Sequence, residues 1–202
     1  MPPADPVDFF ERQFQRQVRE DDFALNPFEQ LALPHVSGSV LDLGCGLGNL
    51  SLEAARRGCS VIAVDASPTA VERLRAAALR EQLTLTALQA DLAGFRIERD
   101  YDTIVAIGLL MFFRKERALA LLRQIVEHVR AGGCAIVNVL TEGTSYLDMF
   151  ASGEYYLFGT KELERAFAGW VVLAARHDSF AAPGGTRKEF ATLIARKTAT
   201  QV

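Results

Sequence analysis

The chain has 202 residues, of which 50% are hydrophobic and 23% are charged, and its formal net charge is −3. These values predict one globular domain over residues 1–202 that buries its own core. No run reaches the roughly 20 apolar residues of a membrane span, and no long basic run marks a nucleic-acid binder. We therefore expect a small-molecule partner, with neither a nucleic acid nor a membrane.

The first 36 residues are predicted to form a helical cap. Residues 1–6 lack the basic region and apolar core of a secretion signal, so a cytoplasmic location is expected. The next apolar residues recur at spacings of three and four, which predicts one helix to about residue 19. They are Val7, Phe10, Phe14 and Val18. A second short helix is expected from Pro27. The aromatic residues of the cap either close over a site as a lid or simply pack on the sheet.

From residue 39 onward, apolar runs alternate with helical patterns. The runs predicted as strands are 39–43, 60–64, 83–88, 101–107 and 134–140. The helices between them are predicted at 49–57, from Pro68 with Ser67 as its N-cap, and over a stripe that ends at Val129 before Gly132 and Gly133. Such alternation builds a parallel sheet with helices on both faces.

After the fifth strand the rhythm changes. A loop of about twenty residues is expected, followed by a short helix from Thr160. Two further strand-like runs, 170–175 and 190–195, flank a turn sequence at 183–185 that suits a hairpin. The last strand is therefore predicted to be antiparallel.

The segment 40–48 has the form of an apolar strand, a glycine turn and a helix start, which is typical of a nucleotide-type cofactor site. Gly44, Gly46 and Gly48 allow a sharp turn, and the free amides of the following helix attract an anion. Asp42 precedes the glycines, where it would repel a pyrophosphate. S-adenosylmethionine (SAM) carries a sulfonium and an ammonium, which a carboxylate attracts. The segment therefore favours SAM over a dinucleotide.

Two further carboxylates follow predicted strands. Asp65 lies 21 residues after Gly44 and is expected to accept both ribose hydroxyls; the alternative, a helix cap, is already served by Ser67. Asp91 is expected to accept from the adenine amino group, with the Leu92 amide as a donor, although acids are also common in such loops.

These motifs resemble those of class I SAM-dependent methyltransferases. Residues 41–46 are similar to the first motif, and 64–65 and 90–92 to the second and third cofactor contacts. The resemblance implies a Rossmann-like, doubly wound α/β fold with a seven-stranded sheet, mostly parallel with strand seven antiparallel. It also implies a set of cofactor-binding residues. They are Asp42, Gly44, Cys45, Gly46, Asp65, Ala66, Asp91, Leu92 and Ile107.

Within that superfamily, residues 108–113 and 162–197 resemble the tellurite-resistance methyltransferases, which implies a chalcogen oxyanion as methyl acceptor. Two departures concern the acceptor: Asn49-Leu50 stands where that family has an Arg-Asn pair, and its adjacent His-Arg pair before the last strand is absent. Tellurite, selenite, a thiol and a metabolite hydroxyl all stay open as acceptors.

The acceptor is expected near the end of the fourth strand. Met111 and Phe112 would form an apolar wall there, or pack as core. Arg176 would attract an anionic acceptor, or solvate the hairpin. His177 would serve as the base if the nucleophile begins protonated, or as a hydrogen-bonding loop residue. The three cysteines have no ligand-like spacing, so they are expected to be reduced and no metal site is predicted.

Two other functions remain open at this point. A short-chain reductase using NAD would need a lysine four residues after a tyrosine, and none of the four tyrosines has one. A non-catalytic SAM-binding module would have the same donor site as an enzyme. Both a monomer and a homodimer are compatible with the sequence.

Overall fold

The computed structural model describes residues 6–150 and 153–199. The strands are β1 (Ser39–Leu43), β2 (Ser60–Asp65), β3 (Leu85–Gln89), β4 (Tyr101–Ile107), β5 (Val129–Leu140), β6 (Val171–Ala182) and β7 (Thr186–Arg196). The α-helices are α1 (Pro6–Glu20), α2 (Pro27–Ala32), α3 (Asn49–Arg56), α4 (Pro68–Arg80), α5 (Lys115–His128) and α6 (Glu162–Ala166). The loose ends predicted at 1–6 and from Thr198 largely lie outside the described residues.

The strands form one seven-stranded sheet in the order β3-β2-β1-β4-β5-β7-β6. Neighbours from β3 to β5 run parallel, whereas β7 is antiparallel to both β5 and β6. The predicted fold class is thereby confirmed. The strand order reverses between β1 and β4, and ligands of open α/β sheets bind at this kind of switch point.

Helices cover both faces of the sheet because the central strands are apolar on both sides. One buried cluster lies beneath α5 and α6 and includes Leu43, Ile104 and Leu121. The other lies beneath α3 and α4 and includes Val61, Leu74 and Ile136. The two clusters hold the carboxyl ends of the strands in fixed positions, where the site is built.

The end of α5 differs from the prediction. Val129 was expected on the helix, but its φ of −78° and ψ of 127° are extended, and it pairs with Tyr101 as the first residue of β5. The Lys197 ammonium explains this early end of the helix. It donates hydrogen bonds to the carbonyl oxygens of Val126, Glu127 and Val129 at 2.8–3.0 Å. The helix is therefore capped before the glycines are reached.

The β6–β7 hairpin is longer than predicted. Its ladder continues to the pair Ala182 and Thr186, around a turn in which Gly184 has a φ of 69°. Both strands were expected to be about half as long. The extension places His177 in the middle of β6 instead of near its carboxyl end.

Among the residues that the structure describes, no helix has the combined length and apolarity needed to cross a bilayer.

Candidate active site

A cavity of about 1090 Å³ opens at the carboxyl ends of β1, β2 and β4, beneath α1. Small-molecule sites usually measure roughly 300–1,000 Å³, so this one has room for a large cofactor together with a second ligand. All nine predicted cofactor residues line it, as do Met111 and Phe112. The structure therefore brings eleven of the thirteen predicted site residues to one pocket.

The glycine turn lies at the floor of the pocket. Gly46 has a φ of 53°, and a Cβ there would come within 3.2 Å of the Phe14 ring. Gly48 has a φ of 72°, and a Cβ there would lie 2.6 Å from the Leu74 side chain. Side chains rarely adopt this backbone region, and a Cβ would be tight at Gly46 and would overlap Leu74 at Gly48, so both positions favour glycine.

Asp42 is a buried carboxylate at the end of β1, with only 5% of its surface exposed. Its Oδ2 accepts a hydrogen bond of 2.6 Å from the Ser51 hydroxyl on α3. Burial raises the pKa of Asp42 to about 7, and the nearby charges of Glu29 and Asp65 add to this, against the effect of the Ser51 bond. A cationic ligand beside Asp42 would stabilise the charged form.

Asp65 ties the glycine turn to the loop after β2. Its Oδ2 accepts from the Gly46 amide at 2.8 Å, and its Oδ1 accepts from the Ser67 amide at 2.9 Å. Burial raises the pKa of Asp65 in spite of these bonds. A carboxylate has about four lone-pair sites, and the Ala66 amide also donates to this one, so its capacity for ligand hydroxyls is limited.

Glu29 is a pocket residue that the sequence reasoning missed. It lies on α2 in a capping box, where its Oε2 accepts from the Asn26 amide at 2.8 Å. Burial raises the pKa of this carboxyl group. The spacing of Asn26 and Glu29 signals the helix start, but nothing in it places α2 beside β1. Together with Asp42 and Asp65, Glu29 makes this end of the pocket electrostatically negative.

Four other predicted cofactor residues line the pocket at or just after the carboxyl ends of β2, β3 and β4. Asp91 accepts from the Ala93 amide at 2.8 Å, which fixes the turn after β3. The Leu92 carbonyl accepts from the Arg117 guanidinium at 2.5 Å. Ala66 and Ile107 complete this part of the lining.

The opposite end of the pocket is apolar. Phe112 packs edge-on against Phe10 of α1, with ring centroids 5.1 Å apart, and also contacts Phe150. Met111 is 2% exposed and belongs to a small buried cluster with Leu140. Met111 and Phe112 therefore form a pocket wall and part of the core at once, so the two alternatives weighed for them are not exclusive.

Helix α1 is attached across the pocket. The Glu11 carboxylate accepts hydrogen bonds from the hydroxyls of Ser67, at 2.5 Å, and of Thr69. These bonds lower the pKa of Glu11, although burial acts in the opposite direction. Phe14 of the same helix lies over Gly46. The helix thus contacts the site directly instead of packing only on the sheet.

Arg176 and His177 lie outside this pocket. Both are exposed on β6, the edge strand, and neither lines the cavity. His177 pairs with Ala191, which is level with the end of β5, although it lies in the middle of β6. In the sheet, however, β5 and β7 lie between β4 and β6. The axes of β4 and β6 are therefore three strand spacings, or roughly 14 Å, apart. The geometry gives no support to a catalytic role for His177 or an acceptor contact for Arg176.

The cysteines are free and buried. Burial raises the pKa of the Cys45 thiol well above its ordinary value, so this residue of the glycine turn is a neutral packing group. No cluster of three metal-ligating side chains occurs in the two described ranges.

Comparison with known proteins gives consistent similarities. Residues 40–133 match the methyltransferase domain family. The chain is 30% identical over 164 residues to hemagglutinin 1 of Eikenella corrodens, covering 78% of this chain and 54% of that protein. It is 27% identical over 165 residues to the probable SAM-dependent methyltransferase TehB of Haemophilus influenzae, covering 78% and 57%. The chain thus spans little more than half the length of these relatives.

A shorter similarity involves 126 residues of the 23S rRNA (uracil(1939)-C(5))-methyltransferase RlmD of Halomonas elongata. It has 38% identity and covers 61% of this chain but 26% of that protein. The sequence-based exclusion of nucleic acid is therefore not confirmed.

The fold also has solved counterparts. The crystal structure of TehB from Haemophilus influenzae superimposes with a TM-score of 0.76 at 24% identity, covering 96% of this chain and 67% of that one. Other structures with this fold contain bound S-adenosylhomocysteine. The comparisons therefore show a match to a methyltransferase domain over residues 40–133 and a fold that resembles that of TehB.

Proposed function

We propose that this protein transfers a methyl group from SAM to a small-molecule acceptor. The observation that carries the proposal is the group of three carboxylates, Glu29, Asp42 and Asp65, around the glycine turn. Dinucleotide sites place a pyrophosphate at this turn, and the three carboxylates would repel its negative charge. A donor with a sulfonium and an ammonium is favoured there.

The lining residues fit the chemical groups of SAM. The amides at the start of α3 would receive its carboxylate, and Asp42 would face its positive charges. Asp65 would accept from the ribose hydroxyls. Asp91 and the Leu92 amide would pair with the adenine. Bound SAM would supply an electrophilic methyl group on sulfur.

The chain's own contribution is alignment and exclusion of water. Methyl transfer is an in-line displacement, so holding the acceptor against the donor is the main task of the protein. Phe10, Phe112 and Met111 would exclude water from the reacting end. We propose that the cap over residues 1–36, of which 6–36 are described, serves this purpose, since α1 lines the pocket and is attached through Glu11.

Resemblance to TehB makes tellurite the first acceptor to test, followed by selenite and thiols. The similarity to RlmD makes RNA a control acceptor. The pocket favours a small molecule because its reacting end is closed by aromatic residues of α1 and the loop after β5.

The proposal is tested by thermal unfolding with SAM, S-adenosylhomocysteine or NAD, followed by methylation assays with tellurite, thiols and RNA. SAM and S-adenosylhomocysteine should raise the melting temperature, whereas NAD should not. A methylated small molecule should form together with S-adenosylhomocysteine. SAM binding with no turnover of any acceptor would instead support the non-catalytic binding module.

A further inference from the structure

The cofactor end of the pocket contains a cation that the proposed contacts leave unexplained. Arg117 of α5 lines the cavity together with Asp91 and Leu92. The sequence analysis did not single it out, because only the apolar stripe of this helix was considered there. Arg117 takes part in none of the ion pairs found among the described residues. Its guanidinium instead binds the loop that follows β3.

The loop after β3 carries the two groups assigned to the adenine but has no helix of its own. Residues 90–100 join β3 to β4 without a helix, whereas helices follow β1, β2 and β4. Loops are more mobile than the elements they connect and open at a lower free energy. Groups on this loop therefore hold a fixed direction only if other parts of the protein restrain its backbone.

Local hydrogen bonds set the shape of the turn at Asp91. The Ala93 amide donates to Asp91 Oδ1 at 2.8 Å, and the Gly94 amide donates to the Asp91 carbonyl oxygen at 3.3 Å. The Ala90 amide donates to the Asp65 carbonyl oxygen at 3.0 Å, which attaches the start of the loop to β2. Side chains of α5 attach the rest of the loop.

Arg117 joins both sides of this turn. Its Nη2 donates to the Leu92 carbonyl oxygen at 2.5 Å and to the Phe95 carbonyl oxygen at 2.7 Å. Hydrogen bonds from a charged donor are roughly twice as strong as neutral ones. Burial lowers the pKa of Arg117, and the negative charge of Asp91 acts in the opposite direction, so that carboxylate is close enough to attract the guanidinium.

These bonds also restrict the Leu92 amide. Only φ and ψ separate the amide from the carbonyl of one residue, and the Leu92 side chain is buried in the core, with 5% of its surface exposed. Because Arg117 holds the carbonyl oxygen and the core holds the side chain, the Leu92 amide has little freedom to turn. Arg117 thus fixes a proposed donor to the cofactor without being one of the proposed contacts itself.

A second side chain of α5 restrains the far end of the same loop. The Ile97 amide donates to Gln124 Oε1 at 2.9 Å. Gln124 lies seven residues, or about two turns, after Arg117 and so on the same face of the helix. Gln124 does not line the cavity, whereas Arg117 does. Both side chains restrain the loop, and only Arg117 does so beside Asp91 and Leu92.

Resting on the proposed function, we propose that Arg117 is a positioning residue that gives the cofactor site its preference for adenine. Adenine offers an N–H donor to Asp91 and a ring-nitrogen acceptor to the Leu92 amide. Hypoxanthine has a carbonyl oxygen and a ring N–H at the same two positions, so it mismatches both groups. The preference depends on the direction of both groups, which Arg117 holds through the carbonyl oxygens of Leu92 and Phe95.

The test compares the binding of S-adenosylhomocysteine with that of S-inosylhomocysteine, in which hypoxanthine replaces adenine. Calorimetry gives both dissociation constants for the wild type and for Arg117→Met. The wild type should bind S-adenosylhomocysteine about ten- to hundredfold more tightly, as expected for one charge-assisted hydrogen bond. In Arg117→Met this preference should fall to about threefold or less, mainly through weaker binding of S-adenosylhomocysteine.

Gln124→Met is the matched control, since it removes a hydrogen bond between the same helix and the same loop. It should lower the melting temperature but keep the wild-type preference for adenine. A purely structural role of Arg117 predicts this same result for both variants. Arg117→Gln, whose neutral side chain is shorter than that of arginine, should also lose most of the preference and provides the test if Arg117→Met does not fold.

The inference is overturned if the folded Arg117 variants keep the wild-type preference, if Gln124→Met loses the preference as well, or if the wild type does not distinguish the two ligands. A failure of the proposed function gives a different result, in which the wild type binds neither S-adenosylhomocysteine nor SAM.

Discussion

Replacing Asp42 with asparagine should stabilise the free protein while weakening its binding of SAM. Burial raises the pKa of this carboxyl group from 3.8 to about 7. Ionising it in the folded protein therefore costs about 4 kcal/mol more than in the unfolded chain. The asparagine amide has a similar shape and its oxygen can still accept from Ser51, so most of that cost is removed.

The sign of the pH dependence follows from this shift. The folded state holds the Asp42 proton up to about pH 7, whereas the unfolded state releases it near pH 4. Wild-type stability is therefore lost through this group as the pH rises from about 4 to 7. The advantage of Asp42→Asn should be small at pH 4 and largest above pH 7. If the hydrogen bond between the asparagine and Ser51 is imperfect, the gain in the free energy of unfolding is about 3 kcal/mol. For a domain of this size, this gain raises the melting temperature by roughly 6–12 °C.

The assay is thermal unfolding of the wild type and Asp42→Asn at pH 5 and pH 8, with and without SAM. Without SAM, the variant should melt higher than the wild type at pH 8. SAM should stabilise the variant less, since about ten- to hundredfold in affinity is lost with the charge. Asp22→Asn, at an exposed position, is the control and should change neither quantity. An unchanged or lower melting temperature of free Asp42→Asn at pH 8 would show that burial of the charged Asp42 does not destabilise the protein. An undiminished effect of SAM would show that the charge of Asp42 does not contribute to SAM binding.

Four other substitutions test the site. Asp65→Ala should abolish the thermal shift produced by SAM, whereas His177→Ala should leave it intact; an undiminished shift in Asp65→Ala would refute the ribose assignment. Gly48→Ala should destabilise the protein by about 1–3 kcal/mol in denaturant unfolding, because of its positive φ and the 2.6 Å approach to Leu74; an unchanged midpoint would contradict this. Glu11→Ala should increase hydrogen exchange of the α1 amides and lower SAM affinity several-fold, and unchanged exchange would show that the bonds to Ser67 and Thr69 do not hold the helix.

The sequence was sufficient to predict the strands that carry the cofactor site. Local signals decide these elements: the apolar run that ends in Asp42, the glycines at 44–48, and the N-cap at Ser67 all act within a few residues of the structure they specify. The register of β1 with β2 and β4 then brings Asp65 and Ile107 to the same edge as Asp42. For this reason the residues predicted to bind the cofactor line one pocket.

The acceptor end was not predictable in the same way. Lys188 fell between the predicted turn at 183–185 and the predicted strand at 190–195, and Asn138 was not singled out from its apolar neighbours in β5, although both line the pocket. His177 was predicted at the site from its position along strand six, and Arg176 from its positive charge. Their distance from the pocket depends on the insertion of β7 between β5 and β6, a pairing that no local pattern in the sequence specifies.

Isothermal titration of the wild-type protein with SAM and, separately, with NAD decides which cofactor the pocket binds. We expect saturable binding of SAM at one site per chain and little or no heat with NAD, because the carboxylates around the glycine turn attract the sulfonium and ammonium and repel the pyrophosphate. Tighter binding of NAD than of SAM at this site would show that the pocket is not a SAM site.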